Sequence, residues 1–386
     1  MQEFYLGDIT ETLSSGGDAS KYECRKIKEK GYDIPVYANS INDDGLYGYT
    51  NVSVISKDAV CISARGAGTG YVFFHKGPFV PIVRLISIVP NPSIADTRFL
   101  YYYLKTKGLW GDGSAIPQIT VPMIRKEKIY LPSLIIQKKI SAILSSLDAK
   151  IENNNKINAN LEAQAQALFK SWFVDFEPFQ NGEFEDSELG RIPKGWKVES
   201  LNSFGSVICG KTPSKSVKKY YGTDVPFIKI PDMHGKVFII ESEDNLSLLG
   251  SESQINKLIP SYSLMVSCIA TVGLVSINTK PSHTNQQINS IIPSKSSYLF
   301  YLYETLRKKS DYIQNLGRGG TATLNVNTKT FSTIKIVKPS DHILSKYNSI
   351  IKPYYNIIES NLFENKTLSL LRDTLLPKLM SGEIEV

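Results

Sequence analysis

An internal repeat constrains the fold of this chain more than any other feature of its 386 residues. Pro132 and Pro339 each follow a short strand-like run and stand 207 residues apart (339 − 132). At the same offset, like residues recur in the stretches that follow: Ile143 and Ile350, Ile151 and Ile358, Leu161 and Leu368, Leu168 and Leu375, Asn154 and Asn361, Asn158 and Asn365. Solenoid repeats are shorter, at roughly 20–50 residues. The chain is therefore expected to hold two copies of a domain plus a long helix, and to touch its target in two places.

Both helical stretches carry apolar residues at alternating steps of four and three, which is the pattern of a coiled-coil seam. The first seam consists of Ile140, Leu144, Leu147, Ile151, Asn154, Asn158, Leu161, Ala165, Leu168 and Trp172. The second consists of Tyr347, Ile351, Tyr354, Ile358, Asn361, Asn365, Leu368, Arg372, Leu375 and Leu379. Two seams in one chain most simply pack on each other. Pro353 and Pro377 interrupt the second pattern, so the second helix is expected to be shorter or more irregular than the first.

Two asparagines lie at the middle of each seam, and a buried asparagine costs stability but fixes helix register. Antiparallel packing would set Asn154 near Asn365 and Asn158 near Asn361, and parallel packing would also match the polar layers. Duplication favours the antiparallel arrangement, because it gives the chain an internal two-fold axis. The alternative is that these asparagines face solvent.

The segments ahead of the helices are rich in Val, Ile, Tyr and Thr in short runs broken by Gly, Pro and Asn, which is typical of a β-rich domain. Expected strands include residues 52–55, 71–74, 225–228 and 265–269, and a helix is expected in each copy near 96–107 and 297–309. The joint at 176–182, followed by the acidic run 183–186, predicts a surface linker. The predicted class is α+β: two β-rich domains joined by two long helices that pair as an antiparallel coiled coil.

Composition narrows the possible functions. The net charge of +7 and pI of about 8.9 favour a polyanionic partner. The four cysteines and four histidines form no metal-ligand or redox spacing. No phosphate loop, nucleophile elbow or dinucleotide fingerprint is present, so no catalytic machinery is expected. Without a signal peptide or a long apolar run, the chain is expected to be cytoplasmic, with no membrane partner.

Several loops combine glycines, which let the backbone approach phosphate, with side chains that bind phosphate or read base edges. The glycine-rich turn 63–70 carries one arginine, and the loops at 111–118 and 317–325 correspond at the offset of 207. Each segment also has a structural alternative. Residues 63–70 could be a mobile hairpin turn, the two corresponding loops could only shape the following strand, and the lysines of 211–219 could simply be solvated. The candidate DNA-binding residues are Arg65, Gly66, Gly68, Thr69, Ser114, Gln118, Lys211, Lys215, Asn285, Gln286, Arg318, Thr321 and Asn325.

Four stretches together resemble the specificity (S) subunit of Type I restriction-modification systems. Residues 131–151 and 168–176 are similar to the first spacer helix of that family and its end. Residues 188–196 resemble the lead-in to a target recognition domain, and 375–382 resemble the C-terminal signature. The first copy departs from the pattern because it lacks the Gly-Trp lead-in.

The resemblance implies target recognition domains at residues 1–133 and 178–338, and spacer helices at 134–177 and 339–386. Each domain would read one half of a bipartite, asymmetric site in double-stranded DNA, and the helices would set the spacing. Methyltransferase (modification) subunits and restriction subunits would dock on the chain. No cofactor is expected on this chain, whereas S-adenosylmethionine, ATP and Mg are expected on the partner subunits.

Two other hypotheses remain open from the sequence. One is a non-catalytic two-fold assembly scaffold whose contact with DNA is incidental. The other is an unrecognised hydrolase or nuclease, against which the absence of clustered carboxylates with a neighbouring lysine counts.

Overall fold

The protein, described by a computed structural model over residues 1–66, 68–109, 111, 118–318 and 324–386, divides into two units. The first unit comprises residues 1–152 and 366–386, and the second comprises 153–365. The two long helices therefore contribute residues to both units. Each unit is described by itself.

The first unit contains a four-stranded sheet in the order β2-β8-β5-β6, a three-stranded sheet β4-β3-β7 and the antiparallel pair β1-β9. Its strands are β1 (Gln2–Tyr5), β2 (Thr10–Ser15), β3 (Ile34–Tyr37), β4 (Leu46–Thr50), β5 (Ala59–Ile62), β6 (Val72–His75), β7 (Val80–Pro81), β8 (Ile86–Pro90) and β9 (Lys128–Leu131). Its helices are α1 (Thr97–Lys107), α2 (Val121–Arg125) and the start of α3 (Leu134–Phe173).

The core of the first unit lies between the four-stranded sheet, α1 and the ends of the long helices. Asp96 caps α1 by accepting a hydrogen bond from the Phe99 amide at 2.8 Å. From this helix Phe99, Leu100 and Leu104 enter the core, where they join buried residues of the sheet. The expected helix near 96–107 is thus confirmed.

The second unit repeats this topology with additions. It has a five-stranded sheet β13-β20-β17-β18-β15, a three-stranded sheet β16-β14-β19, the pair β12-β21 and the hairpin β10-β11. The strands are β10 (Phe184–Ser187), β11 (Gly190–Pro193), β12 (Lys197–Ser200), β13 (Gly205–Cys209), β14 (Tyr221–Ile228), β15 (Phe238–Ile239), β16 (Asp244–Leu246), β17 (Leu264–Ser267), β18 (Val275–Asn278), β19 (His283–Thr284), β20 (Ile288–Pro293) and β21 (Lys335–Lys338). The helices are α4 (Ile230–Met233), α5 (Leu248–Glu252), α6 (Leu299–Lys308), α7 (Ser310–Gly317), α8 (Thr328–Ser332) and α9 (Asp341–Ser381).

The joint between the copies is more ordered than the predicted surface linker. The acidic run forms β10 of an antiparallel hairpin. Phe176 and Phe179 pack their rings against buried Trp196, with centroids 5.7 and 5.0 Å apart. These two aromatic side chains are half-buried against Trp196, whereas residues 177–178 and 180–183 are exposed, as expected of a surface linker.

Two other local expectations differ from the structure. Residues 52–55 form no strand: Val52 and Val54 are exposed, and Ile55 makes only an isolated bridge to Phe79. β-propensity alone was misleading there, because a strand needs a partner edge along its length. The second long helix is not shorter either, since α9 runs unbroken through Pro353 and Pro377.

The packing of α9 explains why its prolines do not end it. Tyr347, Ile351, Tyr355 and Ile358 are all buried, and each such side chain stabilises the fold by roughly 1.5–3 kcal/mol. An internal proline costs about 3 kcal/mol. Both prolines are exposed, so their rings lie away from the packed face. The summed burial outweighs the two backbone penalties.

The polar layers of the two long helices meet inside the second unit. Asn154 Nδ2 donates to Asn365 Oδ1 at 2.9 Å, and Asn361 Nδ2 donates to Asn158 Oδ1 at 2.8 Å. Residue numbers rise along one helix as they fall along the other, so the helices pair antiparallel. Asn154 and Asn158 are buried, and the alternative in which they face solvent is not what the structure shows. The predicted α+β class with antiparallel spacer helices is confirmed.

Replacing Asn154 by alanine is expected to lower the free energy of unfolding by about 1–3 kcal/mol, because the buried amide loses its hydrogen bonds to the Asn365 side chain and to a carboxylate. The Asn154 side chain also donates to Glu364 Oε2 at 2.7 Å. Chemical denaturation measures the effect. The matched control is Asn153→Ala, an exposed neighbour on the same helix, which we expect to change stability by less than about 0.5 kcal/mol. Equal effects of the two variants would contradict a role of the layer in stability.

Candidate nucleic-acid interface

In the first unit, several of the residues singled out from the sequence emerge at one edge of the four-stranded sheet. β5 pairs antiparallel with β8, with Ile62 opposite Ile86, so the chain leaves β5 and enters β8 at the same edge of the sheet. We call the segments at this edge, residues 63–66, 68–70, 83–85 and 118–119, the first loop edge. They lie side by side because the strands that carry them are hydrogen-bonded neighbours.

Backbone contacts hold Arg65 at the first loop edge. Arg65 forms an antiparallel bridge with Gln118, and the Ile119 amide donates to Ala64 O at 2.8 Å. Asn39 braces the same turn, because its Nδ2 donates to Arg65 O at 2.6 Å. The turn is thus fixed through its main chain, while the Arg65 side chain extends into solvent. A guanidinium presented in this way can bind phosphate or read guanine bidentately.

The turn at residues 66–70 is closed by its own hydrogen bonds. Thr69 Oγ1 donates to Gly66 O at 2.7 Å, and the Gly70 amide donates to Ser63 O at 2.9 Å. Gly68 lies against Ile41, half-buried. Thr69 therefore shapes this turn through its hydroxyl, and the exposed Gly66 leaves the main chain open to a ligand.

Gly70 is the position where the turn meets the segment after α1. Its φ is +88°, and a Cβ placed there would lie 2.1 Å from Leu109 O. Gly70→Ala is expected to reduce stability by about 2 kcal/mol more than Gly66→Ala, because both force a side chain into the left-handed region but only one collides with backbone. Gly66 has φ +91° and nothing within 4 Å of a built Cβ, so it is the matched control. Equal losses in chemical denaturation would refute the collision.

Arg84 also lies at the first loop edge, and sequence reasoning missed it. It is exposed with φ +63°, and its amide donates to Gly16 O at 3.1 Å. Lone arginines carry little signal in a sequence. The Gly16-Gly17 pair after β2 signals in the sequence that two backbone segments approach closely, but it does not point to Arg84.

The second unit has an equivalent edge, held by the same kinds of backbone hydrogen bond. β17 pairs with β20, with Ser267 opposite Ile288. Ile269 forms an antiparallel bridge with Asn325, and the Val326 amide donates to Cys268 O at 2.8 Å. We call residues 210–212, 268–273, 285–287 and 324–326 the second loop edge. Gln118 and Asn325 are 207 residues apart (325 − 118), so Ile269 takes the place that Arg65 has in the first unit.

Amide and hydroxyl side chains dominate the second loop edge. Thr212 Oγ1 donates to Gln286 Oε1 at 2.6 Å, and the Lys211 amide donates to Thr284 O at 2.9 Å. Gln286, Lys211 and Asn325 are exposed. Asn285 is buried and its Nδ2 donates to Gln287 Oε1 at 2.8 Å, so this amide shapes the turn.

A buried histidine, His283, lies two residues before Asn285 and helps to hold that turn in place. His283 Nε2 lies 2.8 Å from Ser251 Oγ, and Gln254 Nε2 lies 3.3 Å from His283 Nδ1. Burial lowers the pKa of His283 to about 4, because a charged imidazole is poorly solvated there. The ring is therefore neutral at physiological pH and acts as a structural support.

The remaining candidates are spread more widely. Lys215 is exposed in the loop that follows Lys211, and Arg318 is exposed at the end of α7. Ser114 and Thr321 fall outside the described residues, as do Gly113 and Gly320. The individual DNA-binding roles stay predictions. Within the described residues, no group of three or more His, Cys, Asp and Glu side chains could hold a metal ion. None of the helices in the described part combines the length and apolarity that a bilayer crossing requires.

Known proteins match the chain along its whole length. The family described as "Type I restriction modification DNA specificity domain" matches residues 1–163 and 193–368. The HindI specificity subunit of Haemophilus influenzae is 36% identical, with 99% of each chain covered. The MjaIX specificity subunit of Methanocaldococcus jannaschii is 30% identical, covering 87% of this chain and 80% of the relative.

A solved structure shares the fold. The Type I restriction-modification S subunit of M. genitalium superposes with a TM-score of 0.68 at 14% identity, covering 98% of this chain and 95% of the other. Two copies of the family domain, related by the internal repeat, fit recognition of a bipartite site. The chain belongs to the DNA specificity subunits of Type I restriction-modification systems.

Proposed function

We propose that the first and second loop edges read the two halves of an asymmetric DNA site, and that the spacer helices α3 and α9 set the number of unread base pairs between them. The observation that supports this proposal is that both units form the same kind of backbone bridge at this edge, but with different side chains on it. Arg65 and Ile269 occupy equivalent places beside Gln118 and Asn325. An arginine favours guanine or phosphate, whereas an isoleucine can contact the methyl group of thymine.

The partners are methyltransferase (modification) subunits, joined by restriction subunits in the cleaving complex. Exposed apolar side chains on the spacer helices support docking at two equivalent places. Ile143 is 38% exposed and Ile350 is 37% exposed, and they stand 207 residues apart. Apolar side chains repeated at equivalent positions on two helices favour two copies of the same partner.

Ile143→Glu and Ile350→Glu are each expected to weaken the binding of one methyltransferase copy by at least about 10-fold, because each buries a charge in an apolar contact. Size-exclusion chromatography with light scattering reports the stoichiometry. Glu152→Lys, at an exposed position of α3, is the control for a change of charge alone. Full stoichiometry in both isoleucine variants would place the partner elsewhere.

The chemistry belongs to the partners in this proposal. S-adenosylmethionine would bind the methyltransferase subunits, which methylate adenine, and ATP and Mg would bind the restriction subunits, with no cofactor on this chain. The assembled complex would act in the cytoplasm, where the DNA lies.

The deciding experiment compares genome-wide adenine methylation in cells that carry the cognate methyltransferase subunit, with and without this chain. A bipartite motif that appears only with the chain supports the reader and gives both half-sites. If an active, bound methyltransferase gives no chain-dependent motif, the reader is refuted and the non-catalytic scaffold becomes the better account.

A further inference from the structure

In each unit, a tyrosine hydroxyl donates a hydrogen bond to a carboxylate between the helix of the β-rich domain and a spacer helix. In the first unit Tyr102 of α1 donates to Asp148 Oδ2 of α3 at 2.5 Å. In the second unit Tyr355 of α9 donates to Glu304 Oε1 of α6 at 2.5 Å. The carboxylate is on the spacer helix in one unit and on the domain helix in the other.

The two spacer positions are equivalent. Asp148 and Tyr355 stand 207 residues apart (355 − 148), which is also the offset between the starts of α3 and α9. The seam residues one turn before them, Leu144 and Ile351, share this offset and are both fully buried. Both units therefore have a tyrosine–carboxylate hydrogen bond at this spacer position, but the spacer helix supplies the acceptor in the first unit and the donor in the second.

The two pairs also have different neighbours, a charged side chain in the first unit and an uncharged one in the second. Asp148 also accepts a hydrogen bond from Arg372 Nη1 at 2.8 Å. The position equivalent to Arg372 in the second unit is Ala165 (372 − 207), which is fully buried and carries no charge. Glu304 is 3% exposed, and burial raises its pKa.

We propose that these two pairs key each β-rich domain to its own spacer helix, so that the domains cannot exchange places. A second-unit domain set on α3 would place Glu304 opposite Asp148, where the two carboxylates repel each other and neither receives the tyrosine hydrogen bond that it has in the natural chain. A first-unit domain set on α9 would place Tyr102 opposite Tyr355 with no carboxylate between them. The key goes beyond the proposed function, because it fixes the order in which two half-sites are read and not their identity.

A double-mutant cycle in the full chain tests the key. Tyr102→Glu and Asp148→Tyr are each expected to lower the melting temperature by about 5–10 °C. The first places a second carboxylate beside Asp148, and the second leaves the buried Tyr102 hydroxyl without its acceptor. The double variant recreates the arrangement of the second unit and is expected to recover at least half of that loss. Losses that simply add would overturn the proposal.

Tyr103→Glu is the matched control, because the Tyr103 hydroxyl accepts a hydrogen bond from the Tyr130 amide at 3.0 Å instead of contacting Asp148. Asp148→Tyr should not rescue it. Rescue of Tyr103→Glu as strong as that of Tyr102→Glu would show a general effect of charge and overturn the key.

A chimera gives a second test with the opposite sign. In a chain where residues 178–338 replace residues 1–133 ahead of α3, Asp148→Tyr is expected to raise the melting temperature, whereas in the natural chain it lowers it. The same sign in both contexts would overturn the proposal. Thermal unfolding needs no DNA, so failure of the key is distinguishable from failure of the proposed reading function.

Discussion

Seven residues inserted into each spacer helix, between Lys156 and Ile157 and between Leu362 and Phe363, are expected to lengthen the unread part of the DNA site by about one to three base pairs and to abolish methylation of the original site. Seven residues preserve the heptad phase and add ~10.5 Å of helix, or about three base pairs at 3.4 Å each. Each added base pair also rotates the second half-site by roughly 34–36°, which favours the smaller increments. Both insertions fall between the layer of Asn154 and Asn365 and the layer of Asn158 and Asn361.

The methylated motif, read from genomic DNA, reports the outcome directly. The control places the same seven residues after Glu188, in the exposed turn of the hairpin β10-β11, where the spacing should not change. A lengthened chain that still methylates the original motif would refute the spacer role of the helices. Insertion into one helix alone should instead impair folding, because it shifts the asparagine layers out of register.

Replacing both Arg65 and Arg84 by alanine is expected to weaken binding to the cognate DNA by about 100-fold at moderate salt. Both side chains are exposed at the first loop edge. Each lost phosphate contact reduces the slope of log affinity against log salt by about 0.9, so the slope should fall by roughly 2 if both bind phosphate. If either arginine reads guanine, recognition in one half-site should relax by about 1–3 kcal/mol.

Fluorescence anisotropy across a salt series separates these effects. Arg191→Ala is the control, because this arginine is exposed in the hairpin β10-β11, outside both loop edges. Binding of the methyltransferase subunits should be unchanged in the double variant. Unchanged DNA affinity and salt slope would remove the first loop edge from the interface and favour the scaffold.

The arrangement of two domains and two long helices could be predicted from the sequence, because the internal repeat shows both copies at a constant offset. The offset of 207 placed the strands before Pro132 and Pro339 and the helices after them, and β9, α3, β21 and α9 keep that offset. The asparagines predicted that two polar layers meet, and the internal duplication favoured the antiparallel pairing that the structure shows. A seam pattern kept over ten positions in each helix is a strong signal, since many positions must agree.

Local details failed where tertiary contacts outweighed propensity. Pro353 does not end α9, because the buried face of that helix carries more stabilising free energy than the proline removes. Residues 52–55 form no strand, because Val54 and Ile55 bond to the single residue Phe79 and not to a neighbouring strand along their length. The site was harder still: Arg65 was found through its glycine-rich turn, whereas Arg84 and Ile269 became visible only once the strands around them were paired.

The bridge that holds Arg65 in one unit and Ile269 in the other separates what a position recognises from what keeps it in place. Its hydrogen bonds involve main-chain atoms only, so exchanging the side chain leaves them intact. Arg65 is exposed, and substitutions at exposed positions usually change stability by less than about 0.5 kcal/mol, whereas Ile269 is half-buried. If the two loop edges read DNA as proposed, a single substitution at Arg65 would change the specificity of one half-site with little loss of folded protein, while the other half-site stays as it is.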